Sequence, residues 1–416
     1  MMATEKFTPY QRKLLIFLSV ATFFEGFDFM ALSQILPELR ADLGLDISDA
    51  GVMITVINAG TVLAFLLVRK ADTWGRRRVL TLTIAGYTLF TGLTAISQTA
   101  VHFALFQLIA RMFLIAEWGV ATLYAAEEFP AARRGLVIGL IQGFSSLGSV
   151  LCAGVAPVLL QTSLGWRSLY LVGVLPLVLV AIARRSIKET ARFSQHDTSD
   201  DEQDDGPGFV GLIMGPYRKR LALMGLLWAL TYLGMSNAVT FWKDFVVTHR
   251  GWTPEEVGLA LTIAALGSMP LVFYSGKLLD ILGRRWGAVV IYGIGTTGVA
   301  GSFLFSHHIA LQVALVAGIF GVSGVLPVLN AYSTELFPTE LRGDAFGWAN
   351  NILGRVGYVA APVMVTFAAE WQIGGSELGL GTAMAASMVF PLIALVIIMV
   401  SMPETSGREL EETSQL

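Results

Sequence analysis

The sequence predicts an all-α membrane protein with twelve transmembrane helices in two similar halves. Two observations support this fold class. Hydrophobic residues make up 54% of the 416 residues and charged residues only 14%, whereas a soluble domain carries about 25% charged residues. A set of polar residues also recurs at an offset of 208 residues, half the length of the chain. A repeat of this kind indicates two homologous halves.

Apolar runs of about 20 residues are long enough to cross a bilayer as helices. The first run follows Lys6, Arg12 and Lys13 directly and has no small-residue cleavage site. We therefore expect a membrane helix there and not a removable signal peptide. Twelve spans are predicted, over residues 13–37, 51–69, 79–97, 101–126, 135–160, 167–184, 219–247, 254–275, 287–305, 309–334, 343–370 and 379–402.

The distribution of Lys and Arg predicts the orientation of these spans. If the N-terminus is inside, 22 of the 28 basic residues fall in cytoplasmic segments and four fall in external loops. An excess of Lys and Arg marks the cytoplasmic side of a membrane protein. We expect a multi-pass protein of the cell membrane, the inner membrane in a bacterium, with both termini in the cytoplasm.

One long hydrophilic stretch, residues 185–218, lies between the sixth and seventh predicted spans. Its middle is acidic and its two ends are basic, a composition that favours a flexible tether over a packed domain. The predicted organisation is an N-terminal six-helix bundle at 1–184, a cytoplasmic linker at 185–218 and a C-terminal six-helix bundle at 219–416.

Charged clusters occupy matching positions in the loops of the two halves. The arginine fork pairs well with a carboxylate, so we predict ion pairs that act as a conformational latch on the cytoplasmic side. An excess of Lys and Arg on the cytoplasmic side would not by itself explain why Asp, Gly and Glu recur at the same spacing in both halves. The predicted latch residues are Asp72, Arg76, Arg77, Glu127 and Arg134 in the first half and Asp280, Arg284, Arg285, Glu335 and Arg342 in the second.

These loops resemble the signatures of the major facilitator superfamily along the whole chain. Residues 68–78 look like its Gly-x-x-x-Asp-Arg-x-Gly-Arg-Arg motif, with Val68 and Thr73 as departures, and residues 276–285 keep the leading Gly. Glu-x-x-Pro-x-x-x-Arg-Gly occurs at 127–135 and at 335–343. The resemblance implies the major facilitator fold, two pseudo-symmetric six-helix bundles, and secondary transport by alternating access.

Shorter motifs bear on the solute. The tail at 403–412 is similar to the C-terminal motif of sugar porters, but the seventh span lacks the Gln-Gln pair with which those proteins hold hydroxyl groups. Residues 25–29 and 117–119 look like metabolite:proton symporters, which carry organic acids and zwitterions. We expect proton symport of a small organic acid or zwitterionic metabolite. A sugar or polyol porter, with or without proton coupling, and a proton antiporter that exports its solute are the alternatives.

Ionisable residues inside spans are costly and mark candidate functional positions. Glu25 and Asp28 share a face of the first span, while Arg111 and Glu117 lie in the fourth. At 1.5 Å per residue, Asp28 and Arg111 both lie roughly 14–15 Å below the outer surface. Resemblance to the sugar porters implies that Asp28 and Arg111 couple transport to protons. A fixed structural ion pair is the alternative, and Glu25 or Glu117 could replace Asp28 as the proton site.

Arg355 is the ionisable residue of the eleventh span and needs an anionic partner at that depth. That partner is either Glu117 or a carboxylate of the substrate. We predict a substrate-binding role for Arg355, with Asn351 beside it and Asn237 and Trp242 from the seventh span. Structural roles are the alternative for each. A stripe of Gly135, Gly139 and Gly143 predicts close helix packing.

The sequence shows no set of residues that is typical of an enzyme active site. It also has no Walker Gly-Lys-Ser/Thr element, so ATP-driven transport is not indicated. Cys152 is the only cysteine, and no spaced His or Cys set suggests a metal site. We expect no cofactor, no metal and no nucleic-acid partner. The expected partners are a small-molecule substrate, protons and the lipid bilayer, and the expected state is a monomer.

Overall fold

The computed structural model describes residues 7–175, 214–338 and 341–406, apart from a few side chains that include those of Asp72 and Arg134. Contacts divide the chain into two compact units. One unit is Met1–Leu39 with Val56–Glu202, and the other is Arg40–Thr55 with Gln203–Leu416. The predicted linker at 185–218 lies outside the described residues as far as residue 213.

The first unit is a helical bundle around an apolar core. Leu18 from its first helix and Tyr87 and Tyr124 from two others are fully buried in this core. Thr99 caps one helix, since its hydroxyl accepts a hydrogen bond from the backbone N–H of His102. The helices are α1 (Pro9–Leu43), α2 (Ile47–Trp74), α3 (Arg76–Ala95), α4 (Ala100–Glu128), α5 (Ala131–Leu160) and α6 (Arg167–Gly173), and the facing ends of α1 and α2 belong to the second unit.

The second unit is also helical and has one small antiparallel hairpin, in which Gln372 pairs with Glu377. Its elements are α7 (Arg218–Met235), α8 (Asn237–Thr240), α9 (Trp242–Arg250), α10 (Pro254–Leu304), α11 (His308–Glu335), α12 (Arg342–Phe346), a π-helix (Gly347–Gly354), α13 (Arg355–Ala369), β1 (Gln372–Ile373), β2 (Ser376–Glu377), α14 (Leu380–Ser387) and α15 (Val389–Ser401).

The chain is a multi-pass all-α membrane protein, as predicted. Nine helices within the described residues are long and apolar enough to cross a membrane. One of them, α10, contains two of the predicted spans, which meet at a kink where Gly283 has φ 83°. Neither α3, which begins with three arginines, nor the described part of α6 is among the nine. The predicted count of twelve spans is therefore confirmed only in part.

Three predicted spans are divided into shorter elements in the structure, and the eleventh consists of α12, the π-helix and α13. The last one divides into α14 and α15 at Met388. Pro391 has no N–H to donate to the carbonyl of Ser387, so the regular hydrogen-bond ladder cannot continue across this point. The seventh predicted span divides into α7, α8 and α9.

Glycines bring α1 and α5 into close contact in the first unit. A Cβ on Gly26 would overlap the carbonyl oxygen of Ser145, and a Cβ on Gly148 would overlap that of Phe23. The prediction of close packing at Gly139 and Gly143 was wrong, because a Cβ on either would meet nothing within 4 Å. A four-residue glycine spacing identifies a smooth helix face but not the face that has a neighbour.

Candidate functional site

An arginine–glutamate pair joins two helix ends in the first unit. Arg76 begins α3, directly after Gly75, whose φ of 91° is readily adopted only by glycine. Its Nη2 and Nε both donate to Oε1 of Glu127 near the end of α4, at 3.0 and 3.2 Å. Its Nη1 donates to the carbonyl oxygen of Ala71 at 2.9 Å. The guanidinium thereby holds the α2–α3 turn against the end of α4.

The second unit repeats this arrangement at the corresponding positions. Arg284 follows Gly283, and its Nη2 donates to Oε1 of Glu335 at 2.9 Å. Its Nη1 also donates to Oδ1 of Asp280 at 2.8 Å. Arg76 and Glu127 are separated by 51 residues, as are Arg284 and Glu335. The repeated sequence therefore forms the same ion pair in each unit.

The other predicted latch residues differ in their exposure to solvent. The side chains of Asp72 and Arg134 lie outside the described part of the structure. Arg77 is exposed. Arg285 and Arg342 are half-buried. The latch contacts that the structure describes include the pairs of Arg76 with Glu127 and of Arg284 with Glu335.

The segment after α15 adds a contact to the second pair that sequence reasoning did not predict. The Glu404 carboxylate accepts hydrogen bonds from the backbone N–H groups of Arg284 and Arg285 at 2.7 and 3.0 Å. Thr405 donates its hydroxyl to Glu335. Partial burial opposes ionisation of Glu404, but the N–H groups of Arg285 and Arg284 lower its pKa overall. The motif at residues 403–412 marks this segment in the sequence, but it does not indicate which residues the segment contacts.

Four predicted proton-coupling residues lie together inside the first unit. Glu25 and Asp28 on α1 are 7% and 3% exposed, while Arg111 and Glu117 on α4 are 3% and 0% exposed. Glu25 interacts electrostatically with the other three residues, and Asp28 interacts with Arg111. The structure therefore brings all four into one buried charged cluster.

Direct contacts within this cluster are few. Asp28 accepts a hydrogen bond from Thr91 at 3.4 Å, and Glu25 is hydrogen-bonded to Ser145. The Arg111 guanidinium lies 4.8 Å from the centre of the Phe29 ring, and its Nε and Nη1 have no hydrogen-bond partner. Among the described residues, no carboxylate lies within 4.0 Å of Arg111. The cluster holds a cation near three carboxyl groups without binding any of them tightly.

Arg355 occupies an aromatic site in the second unit. Its guanidinium lies 5.4 Å from the ring centre of Tyr232 and 5.2 Å from that of Tyr358. Such contacts are attractive but do not use the N–H donors. The Nε atom is buried without a hydrogen bond, and no carboxylate in the described part of this unit pairs with Arg355. Sequence reasoning did not assign either tyrosine to the site.

The π-helix at Gly347–Gly354 leads directly into Arg355. Within it, Asn350 accepts a hydrogen bond from the Tyr232 hydroxyl at 2.9 Å, and Asn351 is half-buried. π-helical turns are rare and occur frequently at functional sites. Asn350 therefore fixes the hydroxyl end of a ring that contacts Arg355.

The two predicted binding residues from the seventh span are both buried. The Asn237 side chain is 2% exposed, and its Nδ2 has no hydrogen-bond partner. Trp242 is fully buried, donates its indole N–H to the Ser302 carbonyl at 3.2 Å and packs edge-on against Trp252. In the described structure, the donor of Trp242 is already used and that of Asn237 is not.

Comparison with known proteins gives consistent findings. The family model described as Major Facilitator Superfamily matches residues 18–362 and 224–414. The chain is 26% identical to the sialic acid transporter NanX of Escherichia coli, over 94% of this chain and 95% of that protein. It is also 26% identical to the cis,cis-muconate transport protein of Acinetobacter baylyi, over 90% and 91% respectively. Its fold is similar to the inward-open xylose transporter XylE from E. coli, with a TM-score of 0.75, 16% identity and coverage of 96% and 98%.

Proposed function

Because this chain belongs to the Major Facilitator Superfamily, and so is a transporter and not an enzyme, we propose that it carries a small organic acid together with protons by alternating access. The observation that carries this proposal is the environment of Arg355. A guanidinium remains charged at all physiological pH values. This one has aromatic neighbours and a buried, unused donor in place of a carboxylate partner.

A substrate carboxylate would complete that site. The guanidinium presents a rigid fork of N–H donors that matches two carboxylate oxygens. The two tyrosine rings offer faces to the remainder of a small solute. Asn350, Asn351 and Asn237 supply further amide groups in the same unit. We assign Arg355 the role of substrate anchor and give the amides the role of selecting the rest of the molecule.

The names of similar proteins support an acid over a neutral sugar. NanX is named for sialic acid and the Acinetobacter baylyi protein for cis,cis-muconate, and both solutes are carboxylic acids. The two relatives align with nearly the whole chain. A sugar or polyol would need no fixed cation, so Arg355 makes that alternative less suited to the site.

The buried cluster of the first unit supports proton coupling. Asp28, Glu25 and Glu117 are carboxyl groups in a bilayer-spanning unit, and Arg111 is the cation beside them. A carboxyl group that is paired with arginine in one conformation and separated from it in another binds a proton in only one of them. Such an exchange would couple solute movement to the proton gradient.

The repeated ion pairs provide a two-state element for the transport cycle. We propose that Arg76–Glu127 and Arg284–Glu335 form on the cytoplasmic side in one conformation and rearrange in the other. This proposal assumes cytoplasmic termini, two six-helix halves joined by residues 185–218, and a monomer as the working unit.

A panel of labelled solutes in proteoliposomes tests this function. The panel contains cis,cis-muconate, sialic acid, a zwitterionic amino acid and xylose, each with and without an inward proton gradient. We expect accumulation of one of the acids, and only when the gradient is present. Accumulation of xylose alone would favour the sugar-porter alternative. Efflux driven by an inward proton gradient would favour the antiporter.

A further inference from the structure

Glu117 has no hydrogen-bond partner in an apolar part of the first unit. Its side chain is 0% exposed, and both carboxyl oxygens are buried without a hydrogen bond. On the same helix, Leu114 lies one turn before it and Val120 and Ala121 one turn after it, all in the apolar core. A buried, ionised carboxylate without a partner costs several kcal/mol. Ionisation of Glu117 is therefore strongly disfavoured in this conformation.

Charge counting leads to the same result for the whole cluster. In the described part of the first unit, three buried carboxyl groups, Glu25, Asp28 and Glu117, share one buried cation, Arg111. One guanidinium balances one carboxylate. With all three carboxyl groups ionised, the cluster would hold two uncompensated negative charges in a low-dielectric interior, which is prohibitively unfavourable.

Among the residues that the structure describes, the other groups around the cluster supply no further cation. On the side of α3, Tyr87 interacts with Glu117, and on the side of α6, Tyr170 interacts with Asp28 and Arg111. The hydroxyl of Tyr170 is buried without a hydrogen-bond partner. From α5, Ser145 reaches Glu25. Protons on the carboxyl groups are then the means of neutralising them.

We propose that Glu117 holds one of the two protons that this charge balance requires, with the other on Glu25 or Asp28, and that each solute molecule is taken up with two protons. The stoichiometry rests on the proposed function, whereas the protonated state of Glu117 does not. Movement of Arg111 toward Glu117, or entry of water, would release this proton on the other side of the membrane.

Infrared spectroscopy tests the protonated state without any solute. The full chain in lipid vesicles at neutral pH is expected to show the C=O band of buried, protonated carboxyl groups. Glu117→Gln should reduce this band, and Glu377→Gln, in the exposed hairpin, should leave it unchanged. An unaltered band in Glu117→Gln overturns the proposal. If Glu117→Gln does not fold, the wild-type spectrum alone tests the proposal, and absence of the band from it would overturn the proposal.

Proton stoichiometry is measured from the solute gradient at which net flux stops, with labelled cis,cis-muconate as the first probe and any acid that the panel selects as the second. At zero voltage and about one pH unit of gradient, two protons support roughly hundred-fold accumulation and one proton about ten-fold. We expect a change from the first value to the second in Glu117→Gln. A ten-fold ratio in the wild type would overturn the two-proton stoichiometry and leave the proposed proton coupling intact. A wild type that ignores the proton gradient overturns the proposed coupling as well.

Discussion

Arg355 lies beside two tyrosine rings that contact each other edge-on, with ring centres 5.6 Å apart. This position determines what its side chain can do. Contacts with the rings stabilise the cation electrostatically and supply no carboxylate or carbonyl acceptor for its N–H groups. Tyr232 is itself fixed by Asn350. The side chain is thus held in place by groups that do not compete with an anion for its donors.

Replacement of this arginine separates anchoring from a structural role. Loss of one charge-assisted hydrogen bond costs about 1.5–3 kcal/mol, so Arg355→Lys should raise the apparent KM for an acid roughly ten- to hundred-fold. Arg355→Ala should weaken binding further, because the cation itself is lost. Binding of labelled acid to purified variants is the measurement. Wild-type affinity in Arg355→Ala, together with a low yield of folded protein, would indicate a structural residue instead.

Asp28 is predicted to couple solute movement to protons. Asp28→Asn keeps the size of the side chain and its contact with Thr91 but cannot release a proton. We expect this variant to lose accumulation against a gradient and to retain exchange of labelled for unlabelled solute. Both are measured in proteoliposomes. Full accumulation by Asp28→Asn would transfer the coupling role to Glu25 or Glu117.

The charged residues of both candidate sites are visible in the sequence, because a lone charge in an apolar run stands out. Their neutral neighbours are not visible in this way. Tyr232 and Tyr358 are ordinary aromatic residues of apolar runs and reach Arg355 only once α7 and α13 are packed. The environment of Trp242, with its donor held by Ser302, likewise depends on packing between helices.

At the scale of helices, the contact between α1 and α5 depends on residues without a side chain. Gly148→Ala places a methyl group against the Phe23 carbonyl, and overpacking of this kind costs about 1–3 kcal/mol. The matched control on the same helix is Gly154→Ala, where a Cβ meets nothing within 4 Å. We expect a lower thermal midpoint in the first variant only. Equal midpoints would contradict the close approach.

The segment after α15 is predicted to stabilise the second unit in a pH-dependent manner. Backbone N–H groups lower the pKa of Glu404 in the folded chain despite its partial burial, so its contribution is present above its unfolded pKa of about 4.3 and is lost on further acidification. Glu404→Gln should therefore lower the thermal midpoint at neutral pH, and the difference from wild type should shrink in acid. A difference that grows in acid would contradict this role.

The positions of several elements follow from short motifs, and others do not. Gly75 and Gly283 mark the sharp turns before α3 and within α10, and the repeated Arg and Glu positions indicate which helix ends meet. The break between α14 and α15 at Met388 is indicated in the sequence by Pro391. The π-helix has none that we recognise, since Gly347–Gly354 reads as a continuous part of an apolar helix.

At the scale of the whole molecule, the distribution of basic residues predicts the orientation in the membrane. Thr198→Cys and Leu410→Cys should resist an impermeant thiol reagent applied outside the cell. Ser376→Cys, in the exposed hairpin of a predicted external loop, should react. Cys152 is buried and gives little background. Strong labelling at 198 or 410 with none at 376 would invert the topology.

The repeated arginine–glutamate pairs show which features the two halves of the chain still share. Both halves keep this pair, yet neither keeps the buried charges of the other. Glu117 corresponds to Val325 in the second half, and Arg355 corresponds to Leu147 in the first. A duplicated ancestor with two equal copies would thus have retained its mechanical parts in both. The buried charges have diverged, and under the proposed function this divergence assigns proton binding to the first half and solute binding to the second.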